Sequence, residues 1–243
     1  MSVRAPSRPG FLASVASVGE MDVALAAGAD IVDLKNPAAG ALGAWEDGAL
    51  RAAVARWRAG AATRADLSAT IGDHPLATEA ICAATARTAE AGVPLVKIGF
   101  PLPAEAAGDA LAPVLAGLRP LARSTRLIAV LFADQHPDLS MVPLFAEAGF
   151  HGVMLDTADK ARGRLGAHLG VEALAGFVAS ARGLGLLTGL AGSLRLEDIA
   201  ILAPLGPHYL GFRGALCADG RTGALDPARL AAVRDTLRGR AAA

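Results

Sequence analysis

Residues 78–100 read TEAICAATARTAEAGVPLVKIGF, and this stretch decides the fold. Its first part, residues 78–91, is alanine-rich and helical in character. Gly92 punctuates the helix exit, and Leu95–Phe100 is a short apolar run that reads as a buried strand. Helix, glycine and strand in this order form the repeating unit of a parallel sheet with helical crossovers.

The same unit recurs in both directions. Strands are expected at Phe11–Ala16, Ala29–Lys35, Asp66–Gly72, Leu95–Phe100, Arg126–Asp134, Gly152–Thr157, Leu187–Gly192 and Tyr209–Leu216. Helices are expected near 19–27, 47–59, 78–91, 104–123, 140–148, 171–184, 196–203 and 227–239, with Asp226-Pro227 as an N-cap and first helical residue. Gly28, Gly60, Gly92, Gly149, Gly185 and Gly206 mark helix exits. Eight such units are the number that closes a barrel. The 243-residue length fits one barrel of about 250 residues. The fold class is therefore α/β, a single (β/α)8 TIM barrel over 11–240 after a loose tail at 1–10. A doubly wound open sheet is the competitor, lowered by the lack of a glycine-rich dinucleotide fingerprint after the first strand. Two loops, 36–46 and 158–170, are long and would lie on the barrel face that carries active sites, where they could act as lids.

Composition narrows the partners. Hydrophobic residues make up 53% and charged ones 19%, enough apolar material for one sizeable core. Lys+Arg and Asp+Glu balance at 23 each without a long run of one sign, which argues against nucleic acid or an anionic membrane as partner. Arg4 and Arg8 before Phe11–Val18 imitate a secretion signal, but Ser14, Ser17, Glu20 and Asp22 interrupt it. Cys82 and Cys217 form no metal or redox spacing, so a reduced cytoplasmic protein is expected. Barrels of this size often self-associate through their helices, so a homo-oligomer stays open, although no apolar stripe marks an interface.

Of the 23 basic side chains only three are lysines, Lys35, Lys97 and Lys160. Where arginine is so favoured, a retained lysine marks a place where a proton must be lost, because only a free amine forms a Schiff base. Lys35 ends the second strand, Lys97 lies in the fourth and Lys160 follows the sixth, so all three belong to the C-terminal rim of the barrel. Asp33 is two residues before Lys35 and shares its face, and Asp156 projects into the same space from the sixth strand. Ammonium groups held together depress one another's pKa, and carboxylates nearby hold charge and shuttle protons. Asp134 and His136 are secondary candidates. The alternative for the carboxylates is a structural ion pair, and for the lysines a rim charge.

The seventh strand ends in GLAGS and the eighth contains GFRGA. Gly192, Ser193, Gly211, Arg213 and Gly214 are therefore candidates for a phosphate site, since barrels often bind phosphate after strands seven and eight. The five histidines show no ligand spacing, and no metal is expected. Asp33 and Asp156 could hold Mg²⁺, but neighbouring lysines compete with the cation.

The blocks GADIVDLKNPAAGALGA, SATIGDHP, LVKIGF, VMLDTADK, GLAGS and GFRGALC, in this order, resemble the (5-formylfuran-3-yl)methyl phosphate synthase family over about residues 11–235. The resemblance implies a cytoplasmic barrel lyase of methanofuran-type cofactor biosynthesis. It would condense two glyceraldehyde 3-phosphate molecules, with loss of phosphate and water and without a cofactor. It also implies Lys35 as the Schiff-base lysine, Lys97 as proton acceptor, and Asp33, Asp156 and Lys160 as the rest of the acid/base set. In the loop after the sixth strand, Lys160-Ala161-Arg162-Gly163 departs from the family's pattern but keeps the lysine. Two other readings stand beside it: a different class I aldolase-type barrel lyase for sugar phosphates, and a catalytically silent barrel that binds a phosphorylated metabolite.

Overall fold

The computed structural model describes residues 8–60, 65–101 and 107–239. Eight parallel strands close into a barrel in chain order: β1 (Gly10–Val15), β2 (Ile31–Leu34), β3 (Asp66–Thr70), β4 (Leu95–Phe100), β5 (Arg126–Phe132), β6 (Gly152–Asp156), β7 (Leu187–Leu190) and β8 (Tyr209–Phe212). β8 pairs back onto β1, with Gly10 opposite Tyr209 and Leu12 opposite Gly211, so the sheet has no open edge. That closure excludes the doubly wound alternative. Among the described residues, no helix is long and apolar enough to cross a membrane.

The helices are α1 (Val18–Ala26), α2 (Asp47–Ala59), α3 (Thr78–Glu90), α4 (Ala107–Ala122), α5 (Val142–Glu147), α6 (Leu165–His168), α7 (Val171–Gly183), α8 (Asp198–Leu202) and α9 (Pro227–Leu237). The Asp226 carboxylate accepts from the backbone N–H of Ala228 at 2.7 Å with Pro227 at the first helical turn, as the Asp-Pro pair predicts. Such a cap contributes about 1 kcal/mol. Of the six expected exit glycines, Gly28, Gly92, Gly149, Gly185 and Gly206 have positive φ, whereas Gly60 ends α2 at φ −81°.

Several strands end earlier than expected, β8 at Phe212 instead of Leu216, because the following residues leave the ladder to build loops. Gly214–Leu216 is a 3-10 turn. The tail expected over 1–10 gives way to β1 at Gly10, and residues 1–7 lie outside the described residues, as do 104–106 of the helix expected at 104–123.

Two apolar layers hold the barrel. Outward-facing residues such as Val32, Val96, Ala129 and Val153 pack against the helices, while Leu12, Ile31, Leu95, Ile128, Met154 and Tyr209 fill the interior. Each fully buried Val, Leu, Ile or Met side chain among them contributes about 1.5–3 kcal/mol. Tyr209 occupies so much of the floor that a Cβ on Gly189 would lie 2.3 Å from its ring, so the alternation along β7 requires glycine there. Above this floor the interior turns polar.

Candidate active site

Strand register sets the polar layer. Ser14 on β1, Asp33 on β2 and Ser68 on β3 lie abreast, and one step further along β3, Thr70 pairs with Lys97 of β4. Side chains two apart share a face, so all of these point inward with Lys35. Ser14 Oγ donates to Asp33 Oδ2 at 2.9 Å, Ser68 Oγ to Asp33 Oδ1 at 2.7 Å, and Lys97 Nζ to Asp33 Oδ2 at 2.9 Å. Asp33 is fully buried. Burial by itself would raise its pKa, but the Lys97 and Lys35 charges and the Ser68 hydroxyl outweigh that and hold it below 3.8.

Asp156 ends β6 and gathers the other two amines. Lys35 Nζ lies 3.5 Å from its Oδ2, and Lys160 Nζ donates to its Oδ1 at 2.6 Å. Lys160 also donates to the Thr157 carbonyl and, at 3.2 Å, to Thr157 Oγ1. Burial opposes the charge on Asp156, yet Lys160 and Lys35 pull its pKa well below the ordinary range. For Lys97 the balance is reversed. Its complete burial lowers the pKa below 10.5, assisted by Lys35 and resisted by Asp33. Burial lowers Lys160 as well, against Asp156 and with help from Lys35 and Arg221.

The three lysines are thus held unequally. Lys97 is fixed by Asp33, and Lys160 by Asp156 and Thr157. Lys35 makes a single 3.5 Å contact among the described residues, although it is only 7% exposed. Three amines face two carboxylates, so the fully protonated cluster carries one uncompensated positive charge, an arrangement that favours one neutral amine and attracts an anion.

The cluster opens into a cavity of about 670 Å³ lined by Lys35, Lys97, Asp156 and Lys160 on one side and by Gly192, Ser193, Gly211, Arg213 and Gly214 on the other. All five candidate phosphate residues therefore reach the same space as the amines. Gly192 has φ 110° and Ser193 φ 52°, a left-handed turn that is uncommon for a serine and recurs at ligand sites. Backbone approach is tight: a Cβ on Gly192 would meet Thr157 Cγ2 at 3.0 Å. Arg213 is different from expectation. Its Nε donates to the Arg221 carbonyl at 2.8 Å, Nη1 to the Ser14 carbonyl at 3.3 Å and to Glu20, and Nη2 to the Gly223 carbonyl at 2.7 Å and Glu20 Oε1 at 3.3 Å. The five donors of the guanidinium are all engaged within the protein.

The secondary candidates do not reach the cavity. Asp134 accepts the backbone N–H groups of Ala158 and Asp159 at 2.7 and 2.8 Å, so it anchors the loop after β6. His136 is exposed and ends a 3-10 turn at φ 50°. Among the described residues no group of three or more His, Cys, Asp or Glu side chains is arranged to hold a metal ion.

Both long loops are folded down. Leu42, fully buried, reaches over Gly99 and Phe132, its N–H donates to Asp73 Oδ1 at 3.1 Å, and Thr70 Oγ1 donates to the Gly43 carbonyl at 3.0 Å. The other loop is tied by Leu165 N–H to the Gly192 carbonyl at 3.0 Å. Ser14, Ser68, Thr157 and Asp73 were not singled out from the sequence. The signal for the serines was available: each is polar at an inward-facing, alternate position of an otherwise apolar strand.

Comparison with known proteins bears on the fold and on the family. The barrel matches KGPDC of Streptococcus mutans at a TM-score of 0.61 and 11% identity, covering 97% of this chain and 100% of that one. Phosphoribosylanthranilate isomerase of Thermotoga maritima matches at a TM-score of 0.61 and 11% identity, covering 95% and 99%. At such identity these likenesses show the fold alone. The sequence profile of the 4-HFC-P synthase family matches residues 11–234. A Methylorubrum extorquens protein is 42% identical over 233 residues, 96% of this chain and 93% of its own length. The (5-formylfuran-3-yl)methyl phosphate synthase of Methanopyrus kandleri is 35% identical over 223 residues, 88% of this chain and 91% of its own length. With the profile and the relatives both spanning most of the barrel, the chain belongs to the (5-formylfuran-3-yl)methyl phosphate synthase family.

Proposed function

We propose that the protein is a cytoplasmic lyase that condenses two glyceraldehyde 3-phosphate molecules to (5-formylfuran-3-yl)methyl phosphate through a Schiff base on Lys35, as a step of methanofuran-type cofactor biosynthesis. The observation that carries this reading is the unequal holding of the amines. Lys35 faces the cavity with one 3.5 Å contact, while Lys97 and Lys160 are fixed by carboxylates at 2.9 and 2.6 Å. A nucleophile must be free to move onto its carbonyl, and acid/base groups must be held.

In this scheme the Lys35 amine attacks the aldehyde carbon of one triose, and water leaves to give an imine. The adjacent carbon then loses a proton to Lys97, whose burial favours the neutral amine. The resulting enamine expels the phosphate from the next carbon, and that carbon accepts the deprotonated C2 of the second triose in the new carbon–carbon bond. The C2 hydroxyl of the first triose closes the ring onto the aldehyde of the second, loss of two waters gives the aromatic furan, and water releases the formyl carbon from Lys35. Asp156 and Lys160, in direct contact, pass protons to the leaving oxygens. Asp33 balances the charge that Lys97 acquires. The uncompensated positive charge of the cluster and the Gly192–Ser193 and Gly211–Gly214 turns receive the phosphates.

Borohydride trapping tests the reading. Incubation with glyceraldehyde 3-phosphate followed by reduction is expected to give a mass adduct on Lys35, with a furan absorbance in the unreduced sample. The absence of both signals would sink the assignment, and an adduct without the furan would leave a class I aldolase.

A further inference from the structure

We propose that Arg221, on a hairpin after β8, is the cation that receives a substrate phosphate, and that Arg213 is the positioning residue that places it. The inference deepens the proposed function and rests on it for the substrate class.

Five arginines line the cavity: Arg164, Arg195, Arg213, Arg221 and Arg229. Four of them have a carboxylate within 4.0 Å. Arg164 lies 2.9 Å from Glu197 and 3.1 Å from Asp198, Arg195 4.0 Å from Glu197, Arg229 3.8 Å from Asp226, and Arg213 is paired with Glu20. Arg221 makes no ion pair among the described residues. Its side chain donates once, from Nη2 to the Gly40 carbonyl at 2.9 Å. Arg221 lines the cavity that also holds the lysine cluster, and its charge is one of those that disfavour protonation of Lys160. A planar guanidinium with donors to spare matches two phosphate oxygens at once.

The surroundings are built to hold this side chain in place. Cys217 and Leu225 form an antiparallel bridge, and Ala218 N–H donates to the Ala224 carbonyl at 3.2 Å, making a short hairpin of residues 217–225. Arg213 holds that hairpin from beneath through the Arg221 and Gly223 carbonyls. From the other side, Gly40 belongs to the loop that continues from Lys35. Gly40 is itself pressed against Asp73, whose Oδ2 would lie 2.0 Å from a Cβ there, so the carbonyl that Arg221 touches is fixed. Arg221 therefore spans from the β8 turn to the loop of the nucleophile.

The test measures the Kd of inorganic phosphate and the KM and kcat for glyceraldehyde 3-phosphate in the wild type, Arg221→Gln, Arg221→Lys and the ion-paired control Arg229→Gln. Loss of a charge-assisted contact is expected to weaken phosphate binding and raise KM by about ten- to a hundredfold in Arg221→Gln. Partial recovery is expected in Arg221→Lys, with Arg229→Gln close to wild type. Borohydride trapping of unphosphorylated glyceraldehyde on Lys35 should be equal in the wild type and Arg221→Gln. That measurement reports the proposed chemistry separately, because its failure in the wild type removes the Schiff base without touching phosphate affinity. Wild-type phosphate affinity in Arg221→Gln would overturn the inference. For the positioning role, Arg213→Lys is expected to weaken phosphate binding in the Arg221 protein but to add little in the Arg221→Gln background. Equal losses in both backgrounds would overturn that part.

Discussion

Lys97 donates to Asp33 across 2.9 Å at the bottom of the polar layer, with the two side chains 2% and 0% exposed. Removing one charge from such a pair strands the other, a loss of about 3–5 kcal/mol. Asp33→Asn is therefore expected to lower stability by about that much near neutral pH, measured by urea unfolding. The pH dependence has a definite sign. In the wild type, the depressed Asp33 pKa contributes stability that is complete above its unfolded value near 3.8 and is lost as pH falls through the lower folded value. In both proteins the buried Lys97 binds its proton less readily folded than unfolded, so stability rises with pH up to the unfolded value near 10.5, and the rise is larger in Asp33→Asn because the carboxylate that opposes the lowering is gone. The two proteins should converge as pH rises. A gap that stays constant to about pH 10, close to the free lysine value, would show that the pair is not what Asn disrupts.

The same lowering has a kinetic consequence. Burial places the Lys97 pKa below 10.5, so the rising limb of kcat/KM with pH is expected below the ordinary lysine range. Lys97→Arg keeps the charge next to Asp33 but cannot accept a proton, and a loss of about 10²–10⁴-fold in kcat is expected. Deuterium exchange at the carbon beside the trapped imine separates the roles, because it should stop in Lys97→Arg while the Lys35 adduct still forms. Undiminished exchange would assign the proton to another base.

Lys35→Arg isolates the covalent step. The guanidinium retains the charge opposite Asp156 and forms no imine at working pH, so the expected result is a folded protein with an unchanged circular dichroism spectrum and no turnover. Measurable furan formation in this variant would remove the imine from the chemistry.

The barrel was legible because its signals are local and repeat. Helix-exit glycines, alanine-rich helices and short apolar strands recur along the whole chain, and β4 runs over Leu95–Phe100 as its sequence reads. The amines were legible for a compositional reason, since lysine is rare among the 23 basic residues. What each charged group touches was not legible. Arg213 reads as a phosphate ligand within GFRG, but its partners include Ser14 and Glu20, 199 and 193 residues away. The grip of Ser14 and Ser68 on Asp33 depends on the register of three strands, which no single segment encodes. The loops at 36–46 and 158–170 read as candidate lids because they are long and lie on the active-site face. Their tethers are mostly backbone groups and the Asp73, Thr70 and Asp134 side chains, which carry no pattern of their own.

Gly192 and Gly176 provide a paired test of how the β7 turn supports the amines. Gly192 has φ 110°, and an added Cβ would press on Thr157 Cγ2 at 3.0 Å and Thr157 N at 3.2 Å. Thr157 adjoins Asp156 and holds Lys160 through its carbonyl and hydroxyl. Gly192→Ala is therefore expected to cost about 1–3 kcal/mol and to lower kcat by shifting the seat of Lys160. Gly176 lies in α7 with nothing within 4 Å of its added Cβ. There alanine restricts the unfolded chain and suits the helix, so Gly176→Ala is expected to gain about 0.4–1 kcal/mol with kcat unchanged. Thermal unfolding and steady-state kinetics on both variants check the pair. If Gly192→Ala lost stability but kept kcat, the turn would be structural only, and Lys160 would hold its place by the Asp156 ion pair alone.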